Sequence, residues 1–211
     1  MSRQDDLQCV FKFEPRTVTQ REAFAAFQEN DLLFLLGVAG SGKSHVTLAC
    51  AVHDTLKTRR KQIYVVRPNV EVGPTLGHLP GELHEKLAPY QECIDALLAK
   101  MAWRLPPDTL QLKACGYLRG CTFDNCTVLI DEAQNFEYPQ LKMLLTRIGS
   151  NCKVIVTGDA SQCDIRQGSP GLTDLEVVVS RLEGVPRVAV CEFGPEDCCR
   201  HPLVRHVLRR L

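Results

Sequence analysis

Leu32-Leu33-Phe34-Leu35-Leu36-Gly37-Val38-Ala39-Gly40-Ser41-Gly42-Lys43-Ser44 is the stretch on which the fold turns. The run Leu32–Leu36 is short and apolar, follows the turn-like Glu29-Asn30-Asp31, and stops at a glycine, as a buried strand does. Gly37 to Ser44 then fits the phosphate-loop pattern G-x-x-x-x-G-K-[ST] in full. Glycines let successive backbone N–H groups turn inward around phosphate oxygens. The helix read from Lys43 to Leu56 aims its positive end at the same oxygens. Within Gly37, Val38, Ala39, Gly40, Ser41, Gly42, Lys43 and Ser44, the ammonium of Lys43 suits the β- and γ-phosphates and the Ser44 hydroxyl suits Mg²⁺.

Further along, Thr127–Ile130 reads as a second apolar strand, delivering Asp131 and Glu132 at its C-terminal end. That is the end where α/β sheets place ligand groups. Asp131 is expected to hold Mg²⁺, and Glu132 to orient and deprotonate the attacking water. Alone, the pair equally fits an acid-rich helix start; the phosphate loop favours chemistry. Lys153–Thr157 is a third strand, ending in Gly158-Asp159-Ala160-Ser161-Gln162. It is expected to lie between the loop strand and the acid strand, with Asp159 or Gln162 sensing the γ-phosphate. Upstream, Thr17 or Thr19 would cap a helix. Gln20 is read as a selector of adenine, since an amide matches both the donor and the acceptor of that base edge.

The remaining pattern alternates short strands (Ile63–Val66, Leu110–Ala114, Arg187–Phe193) with helices (Glu82–Trp103, interrupted near Pro89; Gln140–Ile148; Leu172–Leu182; a tail from Glu196). Alternation of this kind means βαβ units and a mostly parallel sheet with helices on both faces. The expected architecture is an α/β P-loop NTPase: residues 1–16 as an N-terminal extension and 17–211 as one domain. Val70 to Gly81 reads as a long loop.

Composition narrows the function classes. The 211 residues carry a formal net charge of zero, so nothing in the sum marks a nucleic-acid binder. Local basic runs exist at Lys57, Arg59, Arg60 and Lys61 and again at Arg200, Arg205, Arg209 and Arg210; each also reads as a solvated helix end. Eleven cysteines, scattered, do not read as a disulfide framework, and Cys115, Cys121 and Cys126 lack the tight pairs of zinc ribbons. No apolar run approaches a membrane span of about 18 residues. A reducing cytoplasm is the expected setting.

Many of these pieces occur in an order that resembles the PhoH family, which is similar to the first RecA-like domain of superfamily-1 helicases. The matching segments are Arg67-Pro68-Asn69-Val70-Glu71-Val72-Gly73, Leu76-Gly77-His78-Leu79-Pro80-Gly81-Glu82, Pro89-Tyr90, Tyr117-Leu118-Arg119-Gly120-Cys121-Thr122, Asp131-Glu132-Ala133-Gln134-Asn135, Leu145-Thr146-Arg147-Ile148-Gly149, Thr157-Gly158-Asp159-Ala160-Ser161-Gln162 and Glu196 to Val204. The chain departs from the family at Asp164–Gly171, which is shortened, and at Cys121, where a basic residue is common. No nuclease domain is expected ahead of Thr17.

The resemblance implies an ATPase using ATP and Mg²⁺, assembled as a hexamer and acting on RNA or single-stranded nucleic acid. The alternative is a nucleotide-dependent switch or assembly module acting on a protein partner. Lys43, Glu132, Gln162 and Arg200 are the expected catalytic set. Arg67 is expected on the nucleic-acid side, or simply packed at a strand end. Arg200, Arg166 and Arg119 are candidates, in that order, for donation to a neighbouring subunit. A salt bridge from Arg200 to Glu196 or Asp197 is the rival reading.

Overall fold

The computed structural model describes residues 12–58, 60–68, 83–163, 172–208 and 210. The expected signature segments between Asn69 and Glu82, and Arg166 with its neighbours, lie outside the described residues. The strands are β1 (Leu32–Gly37), β2 (Gln62–Arg67), β3 (Leu110–Ala114), β4 (Cys126–Ile130), β5 (Lys153–Gly158) and β6 (Val188–Phe193). They form one sheet in the order β3-β2-β4-β5-β1-β6, and every pairing is parallel. As the sequence suggested, β5 separates the loop strand from the acid strand.

The helices are α1 (Val18–Glu29), α2 (Lys43–Lys57), α3 (Leu83–Lys100), α4 (Tyr138–Leu145), α5 (Asp174–Leu182) and α6 (Pro202–Leu208). Successive strand residues point to opposite faces, so β1 feeds two cores. Leu33 and Leu35 join Phe27 of α1, Val46 and Ala49 of α2, and Ile155; α3 leans on that cluster with Ile94, Leu97 and Leu98. Leu32 and Phe34 join Phe136, Leu141 of α4 and Leu175 of α5 on the other face. Thr17 caps α1, its hydroxyl accepting from the Gln20 N–H at 3.2 Å.

Three of the differences from the reading of the sequence have a clear local reason. α3 continues through Pro89. The proline forfeits one backbone bond, and the apolar stripe downstream keeps the helix on the sheet. α4 starts two residues early because Pro139 fits a first turn and Glu137 and Gln140 close a capping box. The tail is not one helix: a turn at Pro195–Asp197 comes first, then an extended stretch, then α6. The extended stretch exists because the Cys199 N–H donates to the Gly40 carbonyl at 3.0 Å, tying the chain across the loop after β1.

At the opposite end of the sheet, Asp54 of α2 accepts from Arg60 Nη2 at 2.6 Å and from the Thr127 hydroxyl at 2.8 Å. Arg60 also donates to Asn151 at 2.6 Å, linking α2 to the entries of β4 and β5. Both side chains of the ion pair are largely buried, at 13% and 4% exposure. Removing one partner of such a pair leaves an uncompensated charge. Asp54→Ala should therefore lower unfolding stability by about 3 kcal/mol, read as a lower urea midpoint with nucleotide binding retained in the folded protein.

Candidate functional site

The loop after β1 is held by its own backbone. Gly37, Gly40 and Gly42 have φ of 122°, 77° and 89°, values that side chains rarely tolerate. A Cβ on Gly37 would stand 2.0 Å from the Phe193 carbonyl of β6, and one on Gly42 would stand 2.6 Å from the Gln20 amide. Lys43 opens α2 and folds back, its ammonium donating to the Gly37 carbonyl at 2.6 Å and the Val38 carbonyl at 2.8 Å. The Ser41 hydroxyl also donates to Val38 at 2.8 Å. Burial pulls the Lys43 pKa below its ordinary value, while Asp159, Glu132 and Asp131 act the other way.

A cavity of about 530 Å³ opens beside this loop at the C-terminal edge of the sheet. Ala39, Gly40, Gly42, Lys43 and Ser44 line it from the loop, Asp131 and Glu132 from the end of β4, and Thr157, Asp159 and Gln162 from the end of β5. Gln20 and Arg200 also line it. Residues far apart in the sequence thus meet at one place because three parallel strands end there.

The acids are held in place. Thr157 donates to Asp131 at 2.6 Å. Arg67, at the end of β2, donates to the other Asp131 oxygen at 2.6 Å and 3.0 Å, approaches Glu132 at 3.5 Å, and stacks 4.2 Å from the centre of the Tyr90 ring. Glu132 has a left-handed backbone, φ 55°, unusual for a residue with a side chain. Gln134 donates to Glu132 at 2.7 Å and accepts from the Asp159 N–H at 3.0 Å, fixing the strand ends relative to each other. Gln162 donates to Asp159 at 2.8 Å.

Two further residues that line the cavity make contacts within their own chain that the sequence did not show. Arg200 lies over its own phosphate loop, close enough that a Cβ on Gly40 would meet its side chain at 2.8 Å. It is set there by the Cys199–Gly40 bond, so this arginine faces the cavity of its own chain. The Asp197 carboxylate meanwhile closes the turn at Gly194, accepting at 3.1 Å. Gln20 is buried, donates to the Ser41 carbonyl at 2.9 Å and to the Cys199 sulfur at 3.5 Å, and accepts from the Arg16 N–H at 2.9 Å. Both amide protons are used inside the protein, and the side chain acts as a strut under the loop. Arg119 is exposed and does not line the cavity.

Several neighbours went unread in the sequence. Arg16, His45, Lys100 and Met101 line the side of the cavity near Gln20. The ring nitrogen Nε2 of His45 is buried with no hydrogen-bond partner among the described residues. Burial, with Arg16 and Lys100 nearby, lowers its pKa and favours the neutral ring. None of these belongs to a spacing pattern that could have signalled it. The contribution of Gln134 could have been suspected from its place two residues after Glu132.

The donor set suits a magnesium nucleotide. Mg²⁺ in such sites takes one or two protein oxygens and fills its shell with phosphate and water. Ser44 and Asp131 are the oxygen donors beside the loop that could serve in this way.

Comparison with known proteins fits the geometry. A family model described as PhoH-like protein matches residues 12–211. A PhoH-like protein of Bacillus subtilis (strain 168) is 39% identical over 199 residues, covering 92% of this chain and 62% of its own. Protein PhoH of Escherichia coli (strain K12) is 37% identical over 202 residues, covering 92% and 56%. The chain therefore spans little more than half the length of these relatives. Among solved structures, a Sulfolobus solfataricus SWI2/SNF2 ATPase core in complex with dsDNA matches with a TM-score of 0.43 at 17% identity, over 69% of this chain and 34% of that one.

Because the Gln20 amide braces the loop, Gln20→Ala should weaken ATP and GTP alike, by about 1–3 kcal/mol. Competition binding checks it: an equal loss supports the strut, and a selective loss of ATP would make Gln20 a reader of the base.

Proposed function

The chain belongs to the PhoH-like protein family, and on that premise we propose that it binds ATP with Mg²⁺ and hydrolyses it. The observation that carries this reading is the convergence of Lys43 and Ser44, which follow β1, with Asp131 and Glu132, which follow β4, on one cavity.

In this reading the loop N–H groups and Lys43 receive the phosphates. Lys43 exchanges two backbone carbonyls for phosphate oxygens, so its buried charge gains a full counter-charge. Ser44 and Asp131 hold Mg²⁺, whose charge offsets that of the phosphates. Arg67 donates to one oxygen of Asp131, so the same carboxylate that would hold Mg²⁺, directly or through water, also holds this guanidinium. Glu132 is the general base, with one carboxylate oxygen fixed by Gln134 and the other facing Arg67. Gln162 and Asp159 stand at the end of β5 as sensors of the terminal phosphate. Arg200 supplies positive charge in cis.

We extend the proposal to RNA or single-stranded nucleic acid as the coupled partner. The supporting feature is Arg67, which joins the catalytic acids to Tyr90 of α3 and so offers a route from that surface to the site. The chain would act as a homo-oligomeric ring, for which the family resemblance suggests six members. Arg119 is the described candidate for reaching a neighbour, since it is exposed and away from its own cavity. The cytoplasm is the proposed setting; the cysteines of the described residues are all free, as in a reducing compartment. No helix among the described residues is long and apolar enough to cross a membrane.

Glu132→Gln should keep Mg²⁺-ATP bound and slow turnover about 10²–10⁴-fold. Steady-state ATPase of the parent chain should rise when single-stranded RNA or DNA is added. Weaker nucleotide binding with an unchanged catalytic rate would remove Glu132 as the base. A rate indifferent to both nucleic acids would favour the switch acting on a protein partner.

A further inference from the structure

Among the described residues β6 is an outer strand of the sheet, paired on one side only. Between it and α5 runs a groove of about 990 Å³. Its apolar lining includes Val179, Leu182, Val188 and Val190, and Val190 is 40% exposed. Five carboxylates line the same groove, Asp159, Glu176, Glu183, Glu192 and Glu196, and no lysine, arginine or histidine does so among the described residues. A groove of this size, apolar within and acidic throughout, is matched to a basic amphipathic segment.

The chain holds such a segment. Leu203 and Val207 of α6 stand four residues apart on one helix face and are 63% and 41% exposed. Residues 201–211 contain Arg205, Arg209 and Arg210, with His201 and His206, and no acid. In its own chain α6 begins just after the stretch tied to Gly40, which leaves Leu203 and Val207 in solvent.

We infer that α6 of one chain docks into the β6–α5 groove of a second copy, with Leu203 and Val207 against the valines and the positive charge of the segment matched to the acidic groove. This names the contact for the self-assembly in the functional reading above and rests on that part of it alone. The contact joins two different surfaces, so it is head-to-tail, and repetition either closes a ring or runs on. One short helix buries less than the roughly 1,200 Å² of a lasting interface. Single contacts are therefore weak, and a closed ring, in which each chain makes two, gains by avidity. The groove also touches the nucleotide site: Asp159 lines both cavities, and Gly37 lines the groove as it opens the phosphate loop.

Sedimentation velocity of the full chain over a range of concentrations tests the pairing. The parent chain should associate with concentration, and less at high salt. Leu203→Asp removes the helix contact and Val190→Asp the groove contact, so each alone should be monomeric. Mixed in equal amounts at the highest concentration, they should form a two-chain species and nothing larger, because one good helix still meets one good groove. Glu192→Arg, a change at an exposed side chain, should lower association without touching an apolar contact. Nucleotide binding measured on the same samples shows that each variant is folded, and it reports on the ATP reading separately. A parent chain that stays monomeric, a variant that associates as the parent does, or a mixture without the two-chain species would overturn the inference.

Discussion

Everything at this site depends on the glycine turn placed between β1, buried from Leu32 to Leu35, and the start of α2. Only residues without a Cβ take that path at Gly37 and Gly42, where the Phe193 carbonyl and the Gln20 amide fill the space a side chain would need. β1 is anchored by neighbours on both edges, β5 and β6, and by apolar contacts on both faces. The loop is thus suspended from a strand paired on both edges and packed on both faces. A preorganised set of donors there costs no rearrangement when an anion arrives.

The site is balanced by charge as well as shape. Lys43 and Arg200 stand on the loop side, Asp131, Glu132 and Asp159 on the strand ends, and Arg67 bridges to the acids from β2. Each acid has a fixed partner: Thr157 for Asp131, Gln134 for Glu132, Gln162 and Ser161 for Asp159. A bound magnesium nucleotide would disturb two of these contacts above all, Lys43 on its backbone carbonyls and Arg67 on Asp131. Because Arg67 also stacks on Tyr90, any movement of it is felt by α3.

The sequence carried the layout of this fold plainly. Strands of five or six residues could be read from apolar runs and the loop pattern, whereas the place of β5 between β1 and β4 was expected from the strand order of P-loop ATPases that carry a Glu after the Asp. Side-chain partnerships could not, because they depend on register. Val66 stands opposite Ile130, and that alignment places Arg67 beside Asp131, one residue past the end of each pairing. Gln20 and Ser41 meet through the packing of α1 on α2, which no spacing records. Arg200 reaches its own loop because the tail crosses Gly40 in extended form, where helical periodicity suggested an unbroken helix. The signature residues from Asn69 to Glu82, legible as a family pattern, lie outside the described residues.

The account stands or falls on Lys43. Its ammonium is half-buried on two backbone carbonyls and feels three nearby acids, an arrangement that makes sense as a seat for phosphate. Calorimetric titration with Mg²⁺-ATP is the most direct measurement, made on the parent chain and on Lys43→Ala under the same conditions. The parent should bind one nucleotide per chain, and the variant should lose most of that affinity while keeping its fold. Equal binding by the two proteins, or no binding by the parent, would contradict the assignment of this loop as the nucleotide site.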